Sequence, residues 1–326
     1  MTERKKWLLS RRGMIGGCVA AISLCLPKSS HGQRQKTPSS LGWLSSTPGI
    51  DPLLEAFRAG LRGLGYIEGG SIRIEARAAQ DNTELRALAQ ELVRQQVHVL
   101  VTKGRAATRA AQEATAAIPV IMAPVDDPYE FVASLSRPTG NITGLALQQT
   151  DIDAKQIEIL KEMVPALSRL AIFYYYGETY YALESTAHAL GIEVLWIKIK
   201  QTEDLDRAFA EALAKKANGL LIVDTSALGL ACNVIAAMAL ARRIPAAASW
   251  RGGTETTLLL TYAADEAYLQ HRAAFYVDRI LRGAKPEDLP VEQAAKFDLI
   301  VNLKSARELA VTAPPSVLLR ANEIID

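Results

Sequence analysis

Catalytic signatures are what this 326-residue chain lacks. No G-x-S-x-G elbow, Walker loop or G-x-G-x-x-G turn occurs after residue 32. Its histidines beyond that point, His98, His188 and His271, are scattered without ligand spacing, and no cysteines are paired, so a metal site is not expected. Of three cysteines, Cys18 and Cys25 fall in the first 26 residues, which leaves Cys232 alone and no internal disulfide beyond them. Cys232 sits in the apolar run 228–241 and reads as a packed core residue. Basic excess is missing too. Six of the 37 basic residues and one of the 35 acidic ones precede residue 33, so the remainder carries 31 against 34, a charge of about −3. A mildly acidic chain with no basic stripe loses the main electrostatic support for nucleic-acid binding.

Long apolar runs are also absent. The longest near the N-terminus, Met14 to Leu26, is roughly 13 residues, too short for a ~30 Å hydrocarbon core. It follows Arg4, Lys5, Lys6, Arg11 and Arg12 and precedes the small residues Ser30-His31-Gly32, the three-part pattern of a secretory leader cleaved near residue 32. Ser10-Arg11-Arg12-Gly13 also fits a twin-arginine export signal, so both export routes match the pattern. The lone-cysteine outcome suits export, and the location expected is the periplasm. Residues 33–40 read as a polar tether.

What remains, some 290 residues, suits two domains of about 150. Its pattern is strand, loop, helix, in two halves. In the first half, strands are expected at 41–44, 71–76, 97–102 and 119–122. Helices are expected at 51–64, with Leu53, Leu54, Phe57, Leu61 and Leu64 on one side, from Asn82 or Thr83 onward, and at 105–117. In the second half, strands are expected at 170–174, 192–197, 219–223, 245–249 and 258–262. Helices are expected at 151–164, 230–242 and from a Thr202 cap to Lys215-Lys216. Strand–helix alternation implies an α/β fold of two Rossmann-like lobes with parallel sheets and right-handed crossovers. Ligands in such sheets bind beyond the carboxyl ends of the strands, so two facing lobes make a cleft.

Several blocks carry a family resemblance. Asp127-Pro128 is followed by Val132-Ala133-Ser134-Leu135-Ser136-Arg137-Pro138-Thr139-Gly140-Asn141-Ile142-Thr143-Gly144. Gly65-Tyr66-Ile67-Glu68-Gly69 precedes Ile72-Arg73-Ile74-Glu75, and the tail carries Lys296-Phe297-Asp298-Leu299-Ile300-Val301-Asn302 and Pro314-Pro315-Ser316-Val317. From Leu41 to the C-terminus the chain resembles a family of ABC-transporter substrate-binding proteins, akin to the leucine- and tryptophan-type binding proteins. The resemblance implies a type I periplasmic binding protein with a hinged cleft. Lobe one would be 41–144 plus about 264–295, and lobe two 145–263 plus about 296–326. It also implies a small-molecule solute, an ABC permease of the inner membrane as partner, no cofactor and a monomer. Two stretches depart from the family pattern. Tyr129-Glu130-Phe131 replaces a longer, Gly-containing segment, and Tyr174-Tyr175-Tyr176-Gly177-Glu178-Thr179-Tyr180-Tyr181 replaces Asn-Pro repeats. Both fall on expected cleft loops, so the resemblance does not carry a ligand across.

The candidate ligand-binding residues are those the strand ends present. Ser45, Ser46 and Thr47 offer hydroxyls and N–H groups just ahead of a helix, which suits a carboxylate, although the same groups make ordinary helix caps. Lys103 and Gly104 follow the third strand, where glycine admits a ligand to the backbone and a helix start attracts anions. Asp126 could hold an ammonium, whereas Asp127 before proline is ordinary turn chemistry. Of ten tyrosines, five lie between Tyr174 and Tyr181. Tyr174, Tyr175 and Tyr180 offer flat apolar area with a polar tip, for an aromatic or planar ligand, or they pack beneath the following helix. Thr225 follows the 219–223 strand. Trp250 could stack on a ligand, and Arg251 could grip a carboxylate with two donors or serve as a rim ion pair. The function expected is solute binding for an importer, the best fit being an aromatic or apolar amino acid or carboxylate. A binding protein that signals to a membrane receptor, and an exported two-lobed hydrolase or transferase, are the rival classes.

Overall fold

A computed structural model describes residues 38–47, 52–175, 181–223, 231–249 and 256–326. The leader and most of the tether lie outside the described residues. The tether ends earlier than its composition suggests. Ser39 and Ser40 are already in the first strand, β1 (Ser39–Ser45), where they pair with Ile72 and Arg73 of β2 (Ile72–Ala78). His98 accounts for this start, because its Nδ1 accepts from the Ser40 N–H at 3.0 Å and its own N–H donates to the Ser40 carbonyl at 2.7 Å.

The first sheet also holds β3 (Val99–Lys103), β4 (Val120–Val125) and β5 (Ile142–Ala146). Its helices are α1 (Pro52–Gly63), α2 (Asn82–Arg94) and α3 (Arg105–Ala114). Strands β3 and β4 are buried throughout apart from Lys103, as continuous apolar runs inside a parallel sheet should be. Helix α1 buries Phe57 and Leu61 under Trp43, whose ring lies 5.2 Å from that of Phe57. Leu64, expected on the same face, falls past the helix end and is 38% exposed. Helix α2 begins at Asn82, but its cap is Asp81, whose carboxylate accepts from Thr83 and Glu84 N–H at 2.8 and 3.0 Å. These amides hold the Asp81 carboxyl below the usual carboxylate range.

The Gly140–Gly144 block of the resemblance has a structural job. Asn141 Nδ2 donates to the carbonyls of Thr115 and Ile118 and ties the end of the preceding turn to β5. Gly144 has φ +136°, and a Cβ there would lie 2.3 Å from the Met122 carbonyl oxygen. Only glycine lets β5 press against β4 where their register shifts between Met122 and Val125. Because glycine weakens a strand pattern, β5 is not apparent from periodicity.

The second sheet is entered through α4 (Gln149–Met163) and holds β6 (Arg169–Tyr174), β7 (Glu193–Lys198), β8 (Gly219–Ile222), β9 (Ala246–Ala248) and β10 (Leu260–Ala264). Helices α5 (Tyr181–Ala189), α6 (Leu205–Ala214) and α7 (Ala231–Ala241) connect them. The expected helix from Thr202 is a 3-10 turn at Thr202–Asp204 leading into α6. Asp204, not Thr202, closes it, accepting from Lys200 and Gln201 N–H, which lowers its carboxyl pKa. Cys232 is fully buried in α7, and desolvation pushes its thiol up to about 12.

The chain then returns. Helix α8 (Glu266–Leu281), capped by Asp265, packs on α1, and the two-residue strand β11 (Glu292–Gln293) pairs with β5 of the first sheet. Strand β12 (Phe297–Asn302) goes back to the second sheet, followed by α9 (Leu303–Glu308), α10 (Pro315–Leu318) and β13 (Glu323–Ile325). The sheet orders are β11-β5-β4-β3-β1-β2 and β13-β12-β10-β9-β8-β6-β7. All pairs are parallel except β10 with β12. That exception to the all-parallel expectation arises because β12 leaves the passage beside the end of β10, so it must run back along its neighbour. Three passages therefore join the sheets, after β5, after β10 and between β11 and β12. Main-chain bonds stitch them together: Ala294 N–H to Ala146 O at 2.8 Å and Asp265 N–H to Lys296 O at 3.0 Å.

Removing the Phe57 ring leaves a void beneath Trp43. Phe57→Ala should cost about 3–5 kcal/mol of unfolding free energy by urea denaturation, while Leu64→Ala should cost less than about 1 kcal/mol. Equal losses would contradict the placement of the α1 face. Cys232 should resist a thiol reagent in the native protein and react fully only in denaturant, since neither exposure nor thiolate is available.

Candidate functional site

The carboxyl ends of β1, β3 and β4 present three loops side by side, because β1 pairs with β3 and β3 with β4 in register. Ser45 lies opposite Lys103. Ser45 is buried, and its hydroxyl is engaged in a local turn, 3.1 Å from both the N–H and the carbonyl oxygen of Thr47. Ser46 reaches across the sheet. Its N–H and its hydroxyl both donate to the Lys103 carbonyl at 3.2 Å. Thr47 is exposed. The loop after β1 is thus set by hydrogen bonds of its own and by a tie to the loop after β3.

Gly104 makes that tie possible. Its φ is +87°, and a Cβ would come within 2.4 Å of the Ser46 Oγ. Its carbonyl is held from below, accepting from the Thr108 hydroxyl at 3.0 Å, and Thr108 Oγ1 lies 2.8 Å from the buried Thr102 Oγ1. Gly104 caps α3 without a side chain, so the first N–H groups of this ten-residue helix face the strand-end region with no side-chain cap. Lys103 is half-buried beside them.

The loop after β4 completes the row. Asp126 is half-buried at the strand end. Asp127 does the turn chemistry, its carboxylate accepting from Tyr129 N–H at 3.0 Å to cap the 3-10 turn Pro128–Glu130. Glu130 turns back onto α3, where it takes a two-pronged ion pair from Arg105 and a contact at 3.0 Å from Arg109. The Arg109 guanidinium also sits 5.3 Å from the Phe131 ring centre. This hydrogen bond to Glu130, with the nearby Asp127 and Asp126 charges, raises the Arg105 pKa.

The second sheet gives a mixed picture. Tyr174 is half-buried at the end of β6 and packs with the cluster that includes Leu183 and Ala187 of α5. Its ring meets Trp196 edge-on at 5.7 Å, and Lys198 Nζ lies 5.7 Å from its centre. This is the packing role open to part of the tyrosine run. Tyr175 faces the opposite side and packs against the cluster of Phe173, Ile197 and Phe209. Tyr180, Thr225, Trp250 and Arg251 lie outside the described residues.

Sequence reasoning missed a polar group near the first passage. Gln148, just before α4, is in the left-handed region with φ 59°. The next residue, Gln149, donates through Nε2 to Asp153 Oδ1 at 2.8 Å and to Ser249 Oγ at 3.0 Å. Asp153 is 1% exposed. Ser249 ends the strand region from which Trp250 and Arg251 continue. The signal that could have found this group is an acidic residue on the apolar side of α4, one position after Ile152.

The fold of two parallel-rich sheets joined by three passages is that of a periplasmic binding protein. The chain belongs to the ABC transporter substrate binding protein family, which it matches over residues 43–325. It is similar to a tyrosine-binding protein of Clostridioides difficile strain R20291, 25% identical over 290 residues that span 86% of this chain and 83% of the relative. Among solved structures it resembles an ABC domain in complex with L-Trp from Streptococcus pneumonia, at TM-score 0.80 and 22% identity, over 89% of this chain and all of the other. It also resembles a conserved domain protein of Vibrio cholerae, at TM-score 0.79 and 25% identity, over 88% of this chain and all of the other. The ligand-free, open structure of a Clostridium difficile substrate-binding protein with adhesive properties matches at TM-score 0.68 and 21% identity, over 87% and 98%.

Gly104→Ala tests the tie between loops. With φ +87° and ψ 161° the backbone lies in a region essentially confined to glycine, which costs another residue roughly 1–3 kcal/mol, and the new methyl must displace Ser46. Adding Ser46→Ala should recover part of the loss in a thermal melt. A neutral Gly104→Ala variant would show that the two loops are not held as described.

Proposed function

We propose that this protein is the exported, extracytoplasmic solute-binding component of an ABC importer, and that its ligand is an aromatic or apolar amino acid or a related carboxylate. Membership of the substrate-binding family across residues 43–325 carries the reading. The names of two similar proteins, one a tyrosine-binding protein and one solved with L-Trp, support an aromatic amino acid. The basic start and short apolar run of residues 1–32 support export to the periplasm.

The mechanism is binding, with no covalent step. The open protein takes its ligand at the strand ends of the first lobe. There the first N–H groups of α3 and the exposed Thr47 side chain favour a carboxylate, and the half-buried Asp126 favours an ammonium. The second lobe closes over it about the stitched passages, water leaves, and Trp250, Arg251, Thr225 and Tyr180 come to the ligand from that side. The inner-membrane permease recognises the closed form. The lobe limits proposed lie near residues 144, 264 and 295, and the protein acts as a monomer.

A thermal-shift titration with L-Tyr, L-Trp, L-Leu, sugars and nucleosides tests this. A ligand at a hundredfold excess over its dissociation constant adds about 2.7 kcal/mol of stability. A rise in midpoint with L-Tyr or L-Trp that follows the logarithm of concentration is expected, reduced by Arg251→Ala. A shift with sugars alone would retain the binding role and overturn the ligand class. Turnover of a bound compound would overturn the non-enzymatic reading.

A further inference from the structure

We infer that Glu130 is a positioning residue that joins the loops after β1, β3 and β4 into one preorganised binding surface. Its effect on ligand affinity rests on the function proposed above, whereas its effect on the loops does not.

The geometry forms a chain of ties. Asp127 caps the turn, Pro128 is buried within it, and Phe131 and Val132 are 7% and 3% exposed, which fixes the direction of Glu130. Both Glu130 oxygens are engaged by Arg105, the first residue of α3, and Oε1 also meets Arg109 one turn later. The side chain of Glu130 is only 19% exposed, against 49% and 43% for its partners. Arg105 follows Gly104 directly, and the Lys103 carbonyl on the other side of Gly104 accepts from Ser46. Motion of the α3 start is therefore restrained at both ends, by Glu130 from the β4 side and by Ser46 from the β1 side. Tyr129 takes part only through the N–H that Asp127 accepts, its residue being 64% exposed.

An ion pair this exposed adds little to global stability. Its weight falls on local order, because a surface fixed before binding spares the ligand the cost of ordering it. Glu130→Gln keeps the shape and removes the charge. Arg105→Gln tests the same joint from the other side.

The measurement is amide hydrogen exchange of the ligand-free protein, resolved by residue, in wild type, Glu130→Gln, Arg105→Gln and the charge-swapped Glu130→Arg/Arg105→Glu double variant. The expected result is about fivefold faster exchange at Ser46 and Thr108 in each single variant. Amides of 99–101 should be unchanged, and the double variant should stay faster than the wild type, because the swap turns the Arg109 contact into a like-charge pair. Ser46 lies in a different loop from either mutated residue, so a merely local ion pair would leave it unmoved. Unchanged Ser46 exchange in both single variants overturns the inference. In parallel, titration with L-Tyr or L-Trp should show about fivefold weaker binding in Glu130→Gln without a change in the thermal midpoint of more than a few degrees. Unchanged affinity would overturn the functional half. If wild type binds no aromatic amino acid, the ligand assignment fails, and the Ser46 amide still decides the role of Glu130.

Discussion

The three passages between the sheets are held by two main-chain hydrogen bonds, from Ala294 to Ala146 and from Asp265 to Lys296, and the rest of the molecule depends on them. Each bond joins one passage to the next, so the three behave as a single strap. Side chains reinforce it. Thr143 donates to the Leu289 carbonyl at 2.6 Å, and Tyr262 stacks on Phe297 with ring centres 5.6 Å apart. Tyr262 belongs to the apolar clusters of both sheets, so the strap is also where the two cores touch. A two-lobed protein with separate cores needs such a strap. Each core folds around its own sheet, and only the strap fixes which way their carboxyl ends look.

Where strand ladders end, backbone carbonyls lose their partners, and this chain repeats one solution. The register shift in β4 leaves Ala123 O outside the ladder, where it accepts from the buried Gln270 of α8 at 2.9 Å. The strand β9 stops opposite Thr261, so the next carbonyl, that of Tyr262, accepts instead from the buried Gln156 of α4 at 3.2 Å. Both glutamines are fully buried, and both sit on the first helix beyond a passage. Burying an amide is costly unless it is hydrogen-bonded. Each Nε2 meets a carbonyl that would otherwise be buried without a partner, while each Oε1 is buried without one, so the cost is offset on the donor side alone.

Those glutamines also show why the sequence is legible in some places and opaque in others. The strands at 99–103 and 120–125 read directly, because burial on both faces demands apolar runs. Helix α2 reads directly because Leu85, Ala89 and Leu92 repeat on one face behind an acidic cap. Helix α8 has Leu269, Ala273, Val277 and Ile280 at equivalent spacing, but Gln270 and Asp278 are buried among them and blur the stripe. Asp278 is there to accept from Tyr66 at 3.0 Å and Arg282 at 2.7 Å, a tertiary reason that no local pattern contains. Strand β5 is hidden by Gly144, and β11 is two residues long.

The candidate site divides along the same line. Which residues stand at strand ends follows from the alternation alone, so Ser46, Lys103, Gly104 and Asp126 could be placed without a structure. What each one does there is set by neighbours far away in sequence. Ser46 is 57 residues from the carbonyl it serves, and Gly104 is required by Ser46 as well as by its own φ of +87°. Tyr174 stands at a strand end as the alternation places it, but its packing on Trp196 and α5 is set by tertiary structure. A binding surface built this way separates two properties that an enzyme couples. On the function proposed, the lobe that first meets the ligand can be rigid, since binding asks no group in it to move a proton or break a bond. Mobility would then be confined to the strap, so that closure changes the distance between two surfaces without changing either one.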